Sequence, residues 1–421
     1  MSVPDGEHLH AIAHEEPVTS TCGITAASLR CVITWRTGTV VSRGPAWGAP
    51  TATARELDVD LDTPLPGRDG HRVRALAYTD LVGDPHPGDT LLLNCSALAR
   101  NLGTGGYALV VGPVGTLPPD PAPGPGHLVK ARYTPLQAMV LGVDEQESPH
   151  HDTLQDADTL DGLPVVTADL HSALPAIIAG ARHAATRTGR PAPRIAYVMT
   201  DGGALPAAFS RTIATLRDTG WLHTTITVGQ AFGGDLEAVT THTGLLAAHH
   251  ISHADIAIVT QGPGNLGTGT RWGYSGVATG EAINATHTLG GRPVASLRIS
   301  GADPRDRHRG ISHHSLTAYG RVALTPAHIP VPHPTPDIQD HPAWGPALTA
   351  RIHQQADTLA DRHHLVHLPA DTDLLTALAA SPARLSTMGR GLDADPAAFL
   401  AAAVAGVHAY SLVAPGTTAR P

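Results

Sequence analysis

The chain has 421 residues, of which 42% are hydrophobic and only 4% aromatic, and its formal net charge is −9. This length is typical of two domains with cores built mainly from Val, Ile, Leu and Ala. The acidic balance disfavours nucleic-acid binding through phosphate neutralisation, and no apolar run is long enough to predict a membrane-spanning helix.

Composition along the chain predicts five consecutive parts. Residues 1–28 are polar and without periodicity, which predicts a disordered extension. Short β-like segments separated by turns over 29–116 predict a small β-barrel or β-sandwich domain. The stretch LPPDPAPGPG over 117–126 predicts a linker, because proline cannot donate to a sheet ladder. An α/β domain is expected over 127–412, followed by a tail over 413–421.

In the predicted α/β domain, short apolar runs rich in β-branched residues alternate with stretches long enough for helices. This alternation is typical of βαβ units and a mostly parallel sheet. We expect a doubly wound open sheet because the unit lengths are uneven, with a TIM-like barrel as the alternative. The predicted strands are 164–169, 194–200, 224–229, 255–261, 293–300, 320–325, 364–369 and 385–390, and Ala-rich helices are predicted over 173–186, 205–217 and 397–409.

Polar residues follow almost every predicted strand of this domain. In both architectures, ligands bind outside the carboxyl ends of the strands, so we expect these residues to share one cleft. The expected catalytic groups of this cleft are Asp169, His171, Asp201, His313 and His314. The expected ligand-binding residues are Gly202, Gly203, Gln230, Gly262, Gly264, Asn265, Arg305, Arg309 and Arg390.

The glycine-rich runs each have two interpretations. Glycines at 262, 264, 267 and 269 open the chain to left-handed conformations and let backbone N–H groups approach an anion. The spacing fits the dinucleotide fingerprint only as a bare pattern, and no P-loop lysine follows. A phosphate- or carboxylate-binding loop and a plain turn therefore both stay open. Asp201-Gly-Gly is in the same way either part of a site or an ordinary turn with a helix cap.

Asp169 and His171 also have alternative roles. The two side chains form either an imidazole–carboxylate pair or metal ligands, or Asp169 caps a helix that begins near Leu170. A divalent metal could be bound by these two residues together with Asp201. The cofactor stays unknown from the sequence.

His313 and His314 follow a basic loop that contains Arg305, Arg309 and further charged residues. In an acidic protein, this loop is either an anion clamp beside a titratable base or a solvated surface loop. The chain contains 27 histidines. Because histidine is frequent throughout the chain, a histidine indicates a functional role only where its position after a strand supports one.

Composition also indicates compartment and partners. Three cysteines are too few and too scattered for a disulfide framework, which favours a reducing, cytoplasmic compartment. The first residues lack the basic and apolar regions of a secretion signal. We expect a small anionic ligand, no nucleic acid and no membrane partner, and leave a homo-oligomer open.

Four longer phrases resemble one known family. They are GHLVKARYTPLQ (126–137), DEQESPHH (144–151), GADPRDRHRGISHHSLTAYG (301–320) and STMGRGLDADPAAFLAAAVAG (386–406). These phrases resemble an uncharacterised bacterial family, domain-of-unknown-function family 3866, across most of the chain. The resemblance implies one kind of protein rather than a fusion, and it implies no established activity, cofactor or catalytic residue.

Two functional hypotheses follow from these residues. The first is an enzyme that acts on a small anionic metabolite by hydrolysis or group transfer. These reactions are favoured over redox chemistry because no dinucleotide fingerprint stands in its proper context. The alternative is a ligand-sensing binding or regulatory module without catalysis, in which the β-rich domain gates or senses the ligand.

Overall fold

The computed structural model describes residues 32–49, 52–102 and 105–414. The extension predicted over 1–28 lies outside the described residues, as does most of the predicted tail. A small closed barrel precedes an open eight-stranded parallel sheet with helices on both faces. The predicted α/β fold class with a preceding small barrel is confirmed, and the TIM-like alternative is wrong because the large sheet does not close.

The barrel has five strands in the order β1-β2-β3-β5-β4. Alternate residues of its second strand, including Leu57, Val59 and Leu61, are buried in the barrel core, as a strand with one solvated face requires. Trp47 donates from Nε1 to the carbonyl of Ala208 at 2.8 Å, which attaches the barrel to the α/β part. Its elements are β1 (Trp35–Ala49), β2 (Ala52–Leu61), β3 (Arg72–Tyr78), α1 (Thr79–Val82), β4 (Thr90–Asn94), α2 (Ser96–Ala99) and β5 (Ala108–Pro113).

A short hairpin follows the Pro- and Gly-rich stretch. It consists of β6 (Leu128–Lys130) and β7 (Ala138–Val140). Lys130 is fully buried, and its Nζ donates to the carbonyls of Gly229, Ala231 and Ala238 at 2.9, 2.9 and 3.1 Å. Glu237 Oε2 lies 3.3 Å from the same Nζ. Burial lowers the pKa of Lys130 while Glu237 opposes that change, so the lysine is a fully partnered structural cation.

The large sheet contains only parallel strands, in the order β11-β10-β9-β12-β8-β13-β16-β17. Two short antiparallel pairs, β14 with β15 and β18 with β19, lie outside it. The strands are β8 (Pro164–Thr167), β9 (Ile195–Thr200), β10 (Thr224–Thr227), β11 (Leu236–Glu237), β12 (Ile256–Gln261), β13 (Arg292–Ala295), β14 (Ile299–Ser300), β15 (Gly310–Ile311), β16 (His328–Pro334), β17 (His364–Ala370), β18 (Ser386–Thr387) and β19 (Arg390–Gly391).

Helices cover this sheet on both faces. No helix in the described ranges combines the length and hydropathy that crossing a bilayer requires. The helices are α3 (His151–Leu154), α4 (Leu174–Arg187), α5 (Arg211–Asp218), α6 (Thr241–His250), α7 (Ala278–Thr288), α8 (His313–Thr317), α9 (Pro336–Gln339), α10 (Pro346–Asp357), α11 (Thr372–Ala379) and α12 (Pro396–Ser411).

Alternate residues of the central strands enter two separate cores. Tyr197 and Met199 of β9 pack in the core that contains α4 and α12, whereas Ala196 and Val198 pack in the core that contains α6. Strands buried on both faces read as continuous apolar runs, which is why they are recognisable in the sequence. Because both faces are covered, polar side chains of the sheet gather at its carboxyl edge.

Two predicted strands are wrong. Residues 320–325 were expected to form a strand, but Ala318–Val322 forms a π-helical turn and β16 starts at His328. β16 contains three prolines, at 330, 332 and 334, and proline disfavours a strand, so the sequence did not predict this one. In a parallel strand, alternate residues direct their N–H groups to the same neighbouring strand, so the three prolines all face one neighbour. Because β16 pairs with β13 only at Val294↔His328, the prolines on that side remove few hydrogen bonds. Residues 385–390 form only the small β18–β19 pair rather than a strand of the sheet.

Candidate functional site

The loops that leave β8, β9 and β12 meet at the carboxyl edge of the sheet, as expected for parallel neighbours. Gln261 donates from Nε2 to the carbonyl of Asp169 at 2.9 Å. A Cβ atom on Gly276 would lie 2.8 Å from Cβ of Asp169, so this approach requires glycine. A Cβ atom on Gly203 would lie 2.1 Å from the carbonyl of Gly262, so two of the predicted glycine loops pack against each other.

Asp169 forms the buried centre of the edge. Its Oδ2 lies 3.5 Å from Arg298 Nη1 and 3.4 Å from His314 Nδ1, and the side chains of all three residues are at most 11% exposed. Burial alone would raise the pKa of Asp169, but the hydrogen bond from His314 and the charge of Arg298 outweigh it and hold the pKa below its usual range. Asp169 is therefore an ionised acceptor, and the structure shows no helix cap from its side chain.

His314 is fixed from two further directions. Its ring stacks on Tyr274 with centroids 3.8 Å apart and planes 4° apart. The Tyr274 hydroxyl donates to the carbonyl of His314 at 2.7 Å. Burial, and then the Asp169 charge, raise the pKa of Tyr274, so its hydroxyl stays protonated. Ser312 accepts from the backbone N–H of His314 at 3.2 Å and so caps α8.

His308, His313 and His314 form a group that we name the histidine cluster. One ring nitrogen from each lies within 4.8 Å of one from each of the others. Nδ1 of His308 lies 2.8 Å from Ser312 Oγ, and Nε2 of His313 is buried without any hydrogen-bond partner. Burial, helped by nearby positive charge, lowers the pKa of His308 to about 3 and that of His313 to about 4. Both rings are therefore uncharged at neutral pH.

An open pocket adjoins the cluster at His313. We name it the arginine pocket, because Arg271, Arg321 and Arg362 line it and no carboxylate does so among the described residues. The guanidinium groups of Arg271 and Arg321 make no hydrogen bond or ion pair with the described parts of the chain. Such a concentration of positive charge stands out in a chain of net charge −9.

The predicted glycine loop after β12 shapes this pocket. Gly264 adopts φ +96°, which favours glycine, and Asn265 Oδ1 accepts from Ser275 Oγ at 2.9 Å across the base of the loop. The loop tip carries Arg271 and an exposed Trp272 to the pocket. Gly262, Gly264 and Asn265 therefore build the loop, and the arginine at its tip presents the charge.

His171 lies apart from Asp169, so the predicted imidazole–carboxylate pair is wrong. Its Nδ1 lies 3.0 Å from the Tyr197 hydroxyl and its Nε2 lies 2.7 Å from Ser210 Oγ. Burial lowers the pKa of His171 to about 4. With both nitrogens engaged, this ring has no free N–H to donate to Asp169 and no free electron pair for a metal.

Asp201 is also separate from the histidine cluster. Its exposed carboxylate accepts from the backbone N–H of Gln230 at 3.0 Å and packs against Gly229. Gly202 faces the side chain of Gln261, where a Cβ atom would lie 2.6 Å from Oε1. The metal set suggested by the sequence, Asp169 with His171 and Asp201, is therefore not assembled.

Two of the three predicted anion-binding arginines are already neutralised. Arg305 makes two 2.9 Å hydrogen bonds to Asp303, and Arg390 lies 3.2 Å from Asp303 and 3.1 Å from Asp395. The Arg305 bond holds the pKa of the buried Asp303 well below its usual range. Of these three arginines, only Arg309 has a guanidinium without a carboxylate partner within the described ranges.

Several site residues were missed by sequence reasoning. Arg298 lies inside the apolar run PVASLRIS, and that unexpected charge was the available signal for it. His308 stood in the basic loop but was not assigned a role. No sequence pattern marks Arg321, in the π-helical turn after α8, or Arg362, just before β17, because their convergence arises only in the fold.

Comparisons with known proteins give the family of this chain and nothing further. No curated protein and no solved structure matches the chain significantly. The family described as "Protein of unknown function (DUF3866)" matches residues 74–406, a range that starts in β3 of the barrel and ends in α12. It covers Asp169, the histidine cluster and the arginine pocket, and since it spans more than half of the sequence, the chain belongs to the DUF3866 family.

Proposed function

We propose that this protein is an enzyme that acts on a small anionic metabolite by hydrolysis or group transfer at the strand-end loops of its α/β domain. One observation carries the proposal: His313, an uncharged imidazole whose Nε2 has no partner, borders a pocket lined by three arginines. A cationic pocket beside an unprotonated ring nitrogen is a pairing suited to the transfer of an anionic group.

The arginine pocket supplies the binding half of this proposal. Arginine binds phosphate and carboxylate oxygens through paired N–H donors, and hydrogen bonds to charged groups contribute about 1.5–3 kcal/mol each. Arg271 and Arg321 have no protein carboxylate to compete with an incoming anion. A second cleft, between the barrel and α5, lacks this property because its Arg217 is paired with Asp235 at 2.6 Å.

The histidine cluster supplies the chemical half. In hydrolysis, a water oxygen forms a bond to the phosphorus or acyl carbon, the bond to the leaving oxygen breaks, and the water proton passes to the leaving group through the cluster. In group transfer, an acceptor hydroxyl replaces the water. Asp169 and Arg298 act as positioning residues, because they hold the His314 ring rather than face the pocket. The few, scattered cysteines support a reducing, cytoplasmic setting for this reaction.

Binding of inorganic phosphate tests the first half. Isothermal titration at low salt is expected to show one site on the full chain, weakened about tenfold or more by Arg321→Ala and by Arg271→Ala. The matched control is Arg100→Ala, because Arg100 is an exposed arginine of the barrel. Equal affinity for phosphate in all four proteins would refute the pocket assignment.

Turnover tests the second half. The purified chain is incubated with p-nitrophenyl phosphate and with a panel of small phosphate monoesters, acyl phosphates and carboxylate esters, and product release is measured. We expect His313→Ala to lose whatever activity the wild type shows and to retain phosphate binding. Phosphate binding without turnover of any compound would instead favour a ligand-sensing module.

A further inference from the structure

We propose that His308, His313 and His314 bind one divalent transition-metal ion, zinc or cobalt, through one ring nitrogen each. This inference deepens the proposed function, on which its chemical role rests, by naming what activates the attacking water. Among the described residues, no other group of three His, Cys, Asp or Glu side chains brings its ligand atoms within the same 4.8 Å.

The hydrogen bonds around the cluster leave one nitrogen of each ring free for an ion. Because Asp169 can only accept, one tautomer of His314 directs Nδ1–H to Oδ2 at 3.4 Å and leaves the electron pair of Nε2 free for an ion. In the other tautomer, Nδ1 accepts from Arg298 Nη1 at 3.1 Å and Nε2 carries the proton, so an ion on Nε2 requires Arg298 to donate instead to Asp169 Oδ2, which lies 3.5 Å away. A carboxylate behind a ligating histidine is a recurrent arrangement in metal sites, where it fixes the tautomer and raises ligand basicity.

The other two rings are prepared in a similar way. Ser312 Oγ has two electron pairs, so it can accept from both the backbone N–H of His314 and Nδ1–H of His308, which frees Nε2 of His308. Nε2 of His313 is buried with no partner, which costs about 1–3 kcal/mol unless something binds it. An ion between the three rings would provide that partner.

The donor set selects the class of metal. Three imidazoles suit zinc, cobalt or nickel, whereas calcium and magnesium require oxygen ligands. Zinc–nitrogen bonds are about 2.0–2.1 Å long, so three ligating nitrogens lie about 3.4 Å apart around a tetrahedral ion. From the present upper limit of 4.8 Å, the nitrogens must therefore approach one another by up to about 1.4 Å. Three protein ligands leave a fourth position for water, and His313 places that position beside the arginine pocket.

The surrounding charges set the conditions for binding. Arg298 is balanced by Asp169 and Arg305 is balanced by Asp303, so neither adds a full unscreened charge beside the ion. The guanidinium of Arg307 has no hydrogen-bond or ion-pair partner in the described ranges. We therefore expect inorganic phosphate to strengthen zinc binding, because the anion offsets this remaining positive charge.

The test uses the full chain after chelator treatment and dialysis. Competition with a chromophoric chelator measures zinc affinity, metal analysis measures stoichiometry, and the visible absorption of bound cobalt reports its geometry. We expect one ion per chain, a tetrahedral cobalt spectrum, and at least a hundredfold weaker zinc binding in His308→Ala/His314→Ala. Asp169→Asn should weaken binding about 10- to 100-fold, as loss of a carboxylate behind a ligand does.

The matched control is His249→Ala/His250→Ala, which removes a histidine pair outside the cluster. Its ring centroids are 4.5 Å apart, compared with 5.1 Å for His308 and His314. This control should bind zinc like the wild type. If the cluster double variant fails to fold, His313→Gln replaces it, since its Nε2 supports no hydrogen bond and the metal-free stability should not change. The metal site is refuted if the wild type binds no zinc. It is also refuted if the cluster variants bind zinc as tightly as the control does. Phosphate binding and turnover that are both retained in that case leave the proposed function standing.

Discussion

The replacement Asp169→Asn examines the centre of the site directly. The Asp169 carboxylate is 4% exposed and its Arg298 partner 11% exposed, so solvent screens this pair little. Removing one partner of a buried pair costs about 3–5 kcal/mol, because the other charge is left uncompensated. Asparagine keeps one acceptor oxygen, so we expect a loss of about 3 kcal/mol in the free energy of unfolding.

Urea denaturation followed by tryptophan fluorescence and far-UV circular dichroism measures this loss. The control Asp161→Asn removes an exposed carboxylate near His249 and should change stability by less than about 0.5 kcal/mol. Asp169→Asn/Arg298→Met should recover about 2 kcal/mol, since no unpaired charge remains. A loss below about 1 kcal/mol for Asp169→Asn, or no recovery in the double variant, would contradict the ion-pair assignment.

The pH dependence of this difference has a defined sign. The folded pKa of Asp169 is lowered below its unfolded value of about 3.9. Its contribution is therefore fully present above that value and is lost as the pH falls through the lower, folded pKa. The gap between the wild type and Asp169→Asn should stay constant from about pH 7 to pH 5 and shrink only below about pH 4.

Three further predictions concern the stability of the fold. Lys130→Met should lower the free energy of unfolding by about 3–5 kcal/mol, because it leaves the buried Glu237 without its counter-ion. The double variant Lys130→Met/Glu237→Gln should lower it by less in the same denaturation assay. Because the pKa of His171 falls to about 4 on folding, stability should decrease as the pH drops from about 6.5 to 4, and His171→Gln should flatten that slope in pH-dependent melting curves. Gly180→Ala places Cβ 2.0 Å from the carbonyl of Ala403 and should lower the melting temperature, whereas Gly112→Ala, with open space around it, should not.

The architecture could be predicted because its signals are local. Strands such as Ile195–Thr200 and Ile256–Gln261 are buried on both faces, so they stand out as apolar runs in the sequence. The strand over His328–Pro334 could not be predicted this way, since its alternate prolines argue against a strand unless the sparsely paired neighbour is known.

The site could be predicted only in part, because the fold decides which charged side chains pair with each other. Asp169 and His314 were recognisable as polar groups after strands, and they do meet. Arg305 and Arg390 looked like free cations, but Asp303 and Asp395 neutralise them through contacts that no sequence pattern displays. Proximity in sequence also misled the pairing of Asp169 with His171, because β8 ends at Thr167 and the chain turns between the two residues. His171 contacts Tyr197 and Ser210, whereas Asp169 contacts Arg298 and His314.

Diffraction from crystals soaked in tungstate tests the central claim most directly, because the anomalous signal of this anion locates it without prior assumptions. We predict a peak within hydrogen-bond distance of Arg271 and Arg321, on the side of the pocket that His313 borders. A strong peak elsewhere, for example at the loop 201–203, with none in the arginine pocket, would contradict the assignment of this edge as the anion-binding site.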